Sequence, residues 1–273
     1  MFTLRVGEIA VTALSDGYID FEARRVLPDV PEDVWAARPE GIVGDDLRCW
    51  VTSYLIRAGN RVVLVDTGIG PRLLERWRGN CGALPQALTE AGVAPADVDT
   101  VICTHLHADH IGWNTVEQDG ELRPTFPRAR YLVHRAEWPR WQDSDDFSIA
   151  RSVWPLLASG HLEWQDGEGE AAPGVHPLAT PGHTPGHISV LVYDRGEGAV
   201  ITGDAAHHPL ELEHPDWSPT FDADRAQSAE TRRALVERIE DEGLVVLGGH
   251  FPPPHAGRLV RVQARSVYEP LSR

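Results

Sequence analysis

The sequence predicts an α/β protein made of two similar halves that face each other, with its chemistry on the loops at the strand ends. Three observations carry this. Two apolar hairpin arms end in aspartate, Asp66 in VVLVD and Asp204 in AVITGD. A short apolar strand in each half runs almost directly into a histidine, His105 and His250. A helical segment separates arm and strand in both halves.

The elements follow in order. Alternating residues predict strands at Thr3–Val6 and Ile9–Ser15. The stretch 20–50 is rich in Pro, Gly and acid without a clear period, so it is expected to be a long loop acting as a flap over a site. Trp50–Arg57 and Arg61–Asp66, split by Ala58-Gly59-Asn60, read as a hairpin whose second arm is buried on both faces. A helix is expected at Leu84–Ala91 with Gly92 as its stop, then a short strand at Thr100–Cys103. The second half repeats this with His187–Tyr193 and Ala199–Gly203. A long helix follows, capped by Asp222, running through Glu242 and stopped by Gly243, and then the strand Leu244–Leu247. Between the halves, 137–170 reads as a helical insertion holding Trp138, Trp141, Trp154 and Trp164, and a single domain over 1–273 fits the length.

Composition narrows the chemistry. The 25 basic and 41 acidic residues leave a net charge of −16, which repels phosphate backbones, so no nucleic-acid partner is expected. Every basic residue is Arg, which excludes a lysine Schiff base, a Ser-Lys nucleophile pair and a lysine-dependent phosphate loop. Three irregularly spaced Cys make no disulfide framework and point to a reducing, cytoplasmic setting. No apolar run approaches ~18 residues, so no membrane partner is expected.

Six of the 13 histidines fall in three compact motifs. THLHADH places His105, His107, Asp109 and His110 just past a strand, a density of imidazole and carboxylate that suits Zn first, and Mn, Fe or Co. TPGHTPGH holds His183 and His187 on a loop stiffened by two Pro-Gly pairs. VLGGH presents His250 after two glycines that permit close backbone approach. Asp204 stands where a carboxylate can bridge two metals, and Asp66 where it can orient a histidine by hydrogen bond.

In this order, VDTG, HLHADH, TPGH, GD and GH resemble the metallo-β-lactamase-fold superfamily, from about Trp50 to His250. The resemblance implies a four-layer αββα sandwich with a site for two divalent metal ions. It implies one ion on His105, His107 and His183, a second on Asp109, His110 and His250, and Asp204 between them. Two divalent ions against two carboxylates and one hydroxide leave one net positive charge, which favours a developing oxyanion. Attack by metal-bound hydroxide, with Asp109 shuttling the proton, is the implied route.

The bare catalytic domain and TPGHTPGH look like the N-acyl-homoserine lactonases, and the tail GGHFPPPHAGR looks like relatives of methyl parathion hydrolase. The lactonase pattern has Tyr three residues after the bridging Asp; this chain has His207 there, and His207 or His208 is expected to hydrogen-bond a substrate oxygen. A small apolar-tailed ester is therefore the expected substrate, a lactone first and an organophosphate triester second. Its aromatic walls are expected from the 137–170 insertion and from Trp35 and Trp50. The rivals are a glyoxalase-II-like thioesterase, whose basic tail would use Arg258, Arg261, Arg265 and Arg273, and a mono-iron persulfide dioxygenase. A homodimer is left open.

Overall fold

Strands whose side chains are apolar on both faces must be covered twice, and this chain covers them with another sheet inside and helices outside. The computed structural model describes residues 1–37, 39–167, 169–263 and 265–272. The first sheet runs Phe2–Val6, Ile9–Glu22, Asp46–Ala58, Arg61–Val65, Thr100–Ile102, Arg130–His134, Leu162–Gln165 in spatial order. The second runs Val175–Ala179, Ile188–Asp194, Glu197–Ile201, Val245–Leu247, Ala256–Val262, Arg265–Pro270.

The two-residue period sorts the side chains. Val63 and Val65 point inward and meet Val190, Val192, Ile201, Val245 and Leu247 of the other sheet. Leu64, between them, points outward with Val101 and Tyr131 beneath the helices Leu84–Glu90, Phe147–Ser152 and Trp154–Ala158. Val200 and Val246 likewise pack under Leu235, Val236 and Ile239 of the Arg225–Glu242 helix. The result is the helix–sheet–sheet–helix sandwich expected from the sequence.

Each half obeys one pairing rule. Asp46–Ala58 pairs antiparallel with Arg61–Val65, which pairs parallel with Thr100–Ile102. Ile188–Asp194 pairs antiparallel with Glu197–Ile201, which pairs parallel with Val245–Leu247. Parallel neighbours end on the same side, so the residues after them gather at one edge of the sandwich.

Three sequence expectations change. The Arg225–Glu242 helix is capped by Asp224, whose Oδ1 accepts from Gln227 N at 3.0 Å; Asp222 is buried two residues earlier and has another task. Gly243 does stop that helix, at φ 65°. The 20–50 stretch carries regular structure: the Ile9–Glu22 strand enters it, and the short helices Ala23–Val26 and Glu32–Ala36 pack Val26, Leu27, Val30 and Trp35 against Leu47 and Cys49. Its helical turns are too short for a readable period. The 137–170 stretch contributes the helices Trp138–Trp141, Phe147–Ser152 and Trp154–Ala158, but ends as an edge strand of the first sheet. Arg273 lies outside the described residues.

Asp16 ties the loop after the Arg61–Val65 strand to the helix beyond it. Its fully buried carboxylate accepts from Ile69 N at 2.7 Å, Gly70 N at 3.1 Å, Leu84 N at 2.8 Å and Trp113 Nε1 at 3.0 Å. Burial raises its pKa even against these four donors. Asp16→Ala strands three buried backbone donors and a half-buried indole and is expected to cost about 3 kcal/mol or more, the buried donors being worth at least ~1 kcal/mol each. Urea denaturation measures this; a loss below ~1 kcal/mol would mean that water replaces the carboxylate.

Candidate metal centre

Two parallel strand ends and two loops deliver the side chains. Asp66 closes Arg61–Val65 in a left-handed conformation, φ 59°, which costs a non-glycine residue energy and needs support. Its Oδ1 accepts from Thr104 N at 2.7 Å, and its Oδ2 from Thr104 Oγ1 and His110 Nδ1, both at 2.8 Å. Gly203 turns the second half's strand end at φ 53°, where a Cβ would lie 2.7 Å from His187 Nε2.

The sequence's candidates converge. His105 Nε2 lies 2.9 Å from His107 Nδ1, which lies 2.9 Å from His183 Nε2. Asp204 Oδ2 faces this group, 3.6 Å from His105 Nε2 and 3.3 Å from His183 Nε2. The other oxygen, Oδ1, faces a second group, 3.2 Å from His110 Nε2 and 3.1 Å from His250 Nε2. Asp109 Oδ2 completes that group, 3.7 Å from His110 Nε2 and 3.6 Å from His250 Nε2. The donor atoms within each group lie within 4.8 Å of one another.

Four of the five imidazoles donate Nδ1–H away from the centre. His110 donates to Asp66, His183 to Asp222 Oδ1 at 3.1 Å, His250 to the carbonyl of Trp50 at 2.6 Å, and His105 to Thr104 Oγ1 at 3.1 Å. That tautomer leaves the Nε2 lone pair pointing inward. His110 Nε2 and Asp204 Oδ1 are buried without a hydrogen-bond partner, an expensive arrangement unless a cation lies between them. The donor set, the tautomers and the orphaned atoms all fit two divalent ions.

Without an ion, the Asp204 carboxylate draws positive charge onto its neighbours. Burial holds His105, His107 and His183 below the usual imidazole range, so they are neutral donors. Burial opposes charge on His110 and His207, but the Asp204 carboxylate, with Asp66 at His110 and Glu211 at His207, raises both well above it. Burial likewise opposes charge on Asp204, yet the imidazoles of His110, His250 and His207 hold its carboxyl well below the usual range.

Other side chains support the loops. His187 donates Nδ1–H to the Thr180 carbonyl at 3.0 Å and accepts from Asp204 N at 2.9 Å, with burial pushing it down to about 4. Glu137, fully buried, joins HLHADH to TPGHTPGH: Oε2 accepts from Leu106 N at 3.2 Å and Oε1 from Gly186 N at 2.9 Å. Nothing in the local sequence distinguishes Glu137 from a surface glutamate. His208 is committed elsewhere, donating to the Glu40 carbonyl at 2.7 Å and accepting from Leu210 N at 3.2 Å. His207 faces the cavity, with Nε2 3.2 Å from Asp204 Oδ2 and its ring stacked on His250 at 5.5 Å.

A cavity of about 360 Å³ opens on the cluster, walled by Phe21, Trp77, Phe221, Cys49 and Arg76. The expected walls lie elsewhere. Trp138 packs on Trp154 and Trp164 at 5.0 and 5.2 Å, and Trp35 is buried behind the wall, in the cluster that holds Cys49 and supports Phe21 and Phe221. Trp50 supplies its carbonyl to His250, and of the insertion's four tryptophans Trp141 comes nearest the cluster, 5.8 Å from His107. Trp77 lies in an aperiodic stretch and Phe21 and Phe221 are far apart in sequence, so no local pattern marks them. Trp77 also walls a neighbouring cavity with Leu74, Trp113 and Phe147.

Comparison with known proteins meets this geometry. The family model of the metallo-beta-lactamase superfamily matches residues 48–250. An N-acyl homoserine lactonase of Bacillus sp is 30% identical over 226 residues, 75% of this chain and 82% of the relative. Metallo-beta-lactamase domain-containing protein 1 of Xenopus laevis is 34% identical over 215 residues, 77% of this chain and 75% of the relative. Among solved structures, the hydrolase AbOPH has TM-score 0.87 at 23% identity, and the dizinc quorum-quenching lactonase AidC has 0.83 at 21%. Each alignment covers 100% of this chain and 97% of the other. With two groups of His and Asp donors at the edge of an αββα sandwich, the chain belongs to the metallo-β-lactamase superfamily and is a metal-dependent hydrolase.

Proposed function

We propose that the protein opens the ring of a lactone bearing an apolar tail, of the N-acyl-homoserine lactone type, using two zinc ions held across Asp204. The observation that carries this reading is the division of the Asp204 carboxylate, one oxygen toward His105 and His183 and the other toward His110 and His250. The lactonase relative at 30% identity supports the substrate class.

In this reading His105, His107 and His183 hold one ion, Asp109, His110 and His250 the other, and Asp204 both. When bound, such ions supply Lewis acidity and lower the pKa of an attacking water toward ~7. The chain's own residues do the rest. Asp109, partly open to the cavity, accepts the water's proton on the carboxylate oxygen it does not give to the ion and hands it to the departing alkoxide. His207 donates from Nε2 to the substrate's carbonyl oxygen. Phe21, Trp77 and Phe221 bind the tail and exclude water, and the cavity beyond Trp77 gives a longer tail room. The free cysteines, Cys49 and Cys103 both buried, suit a cytoplasmic setting, and a small molecule is the only partner proposed.

A phosphotriester is the second reading, supported by the tail GGHFPPPHAGR, which looks like relatives of methyl parathion hydrolase, while His207 stands where the lactonase pattern carries tyrosine. Across a lactone series, kcat/KM is expected to rise with acyl length and then level off, each methylene-scale contact adding ~1–3 kcal/mol. The assay includes a thioester, a phosphotriester and an RNA; a glutathione thioester or the RNA as best substrate would refute this reading of the pocket.

Asp204→Ala is expected to lose at least one ion and nearly all activity, read by elemental analysis beside the assay. Retention of both ions would remove Asp204 from its bridging role. His183→Ala is expected to cost far more than His187→Ala, which acts behind Asp204 and should fall within ~10–100-fold. Equal losses, with metal missing from both variants, would exchange the two assignments.

A further inference from the structure

Arg232, in the Arg225–Glu242 helix, is fully buried. All three of its nitrogens donate. Nε reaches the Pro215 carbonyl at 3.1 Å, and Nη2 reaches Ser218 Oγ. Nη1 reaches the Ala205 carbonyl at 3.2 Å, Asp222 Oδ2 at 3.3 Å and Ser228 Oγ at 3.3 Å. Removing a guanidinium from water is costly, and a packed apolar side chain often serves stability as well. This charge therefore calls for a task beyond packing.

Its neighbours indicate the task. Two buried carboxylates flank the guanidinium, Asp222 at 3.3 Å and Glu211 at 3.7 Å. Asp222 uses its other oxygen to accept from His183 Nδ1 at 3.1 Å. Glu211 uses Oε2 to accept from the backbone N–H of His207 and His208 at 2.7 and 2.8 Å. Ala205, whose carbonyl the guanidinium also holds, directly follows Asp204. Pro215, Ser218 and Asp222 belong to the loop that carries Phe221 into the cavity wall. One side chain on the outer helix thus reaches the supports of His183, Asp204 and His207 together.

We propose that Arg232 is a positioning residue for the metal centre, acting through Asp222 to aim His183 Nε2 at the site. The guanidinium fixes Asp222 so that Oδ1 meets His183 Nδ1–H, which keeps the Nε2 lone pair inward. This rests on the assignment of His183 as an ion-holding residue and is independent of the substrate. Lysine does not substitute, because one ammonium lacks the planar fork that reaches Asp222, the Ala205 carbonyl and Ser218 at once.

The test is a zinc titration of the metal-stripped 273-residue chain against a chromophoric chelator, with folding followed by circular dichroism. D222N is expected to weaken one of the two zinc ions ~10–100-fold and leave the other unchanged. R232M is expected to weaken the same ion, and the D222N/R232M double variant to be no worse than the weaker single variant, since both act along one path. R232K supplies the comparison if R232M does not fold. Wild-type affinity in D222N overturns the proposal, as does wild-type affinity in a folded Arg232 variant or the failure of both Arg232 variants to fold. If the wild-type protein fails to take up two zinc ions, the metal assignment falls instead, so the two failures are told apart.

Discussion

The structure turns on a single buried carboxylate. Asp204 is almost wholly removed from water, yet each of its oxygens is within 3.3 Å of at least one imidazole nitrogen. An isolated carboxylate in that position would cost several kcal/mol and would take up a proton. Here the surrounding imidazoles reverse that tendency, and the charge stays. Such an arrangement can be held only by a frame that brings the ends of two separate strand sets to one point.

The sandwich is that frame. The same antiparallel-then-parallel pairing in both halves brings Asp66 and His105 out of one sheet and Asp204 and His250 out of the other. Behind them stands an outer ring of partners, each fixing which nitrogen an imidazole presents. Asp66 serves His110, Asp222 serves His183, the Trp50 carbonyl serves His250, and His187 holds the backbone N–H of Asp204. A fully satisfied buried network of this kind is rigid, whereas a partly satisfied one is costly. At the centre of the cluster itself, His110 Nε2, Asp204 Oδ1 and His207 Nε2 are left without a hydrogen-bond partner.

Charge and shape divide the remaining work. The protein carries −16 overall, but the cluster attracts cations and its mouth is apolar, with Phe21, Trp77 and Phe221 beside a single arginine, Arg76. That combination suits the proposed neutral, apolar-tailed substrate better than a polyanion. The aromatic residues come from three distant parts of the chain, so the shape of the mouth depends on how the sandwich is wrapped.

Much of the centre was legible in the sequence, because the side chains that make it stand in dense local motifs. HLHADH alone brings four donors together, and the apolar runs ending in Asp66 and Asp204 announce two equivalent strand ends. The supporting residues were not legible. Asp222 looks like a helix cap, Glu137 like a surface acid and Arg232 like one of many helix arginines, since what sets them apart is burial, and burial belongs to the tertiary structure. The pocket walls were misplaced for the same reason: tryptophans clustered in sequence, Trp138, Trp154 and Trp164, pack on one another, while Phe21, Trp77 and Phe221 meet only in the fold. By itself the sequence picked out the His and Asp side chains that converge in the cluster, because metal-holding chemistry needs particular residue types at short spacing. Only the tertiary structure decided which nitrogen each imidazole offers and what surrounds a substrate, because those depend on contacts between residues tens to hundreds of positions apart.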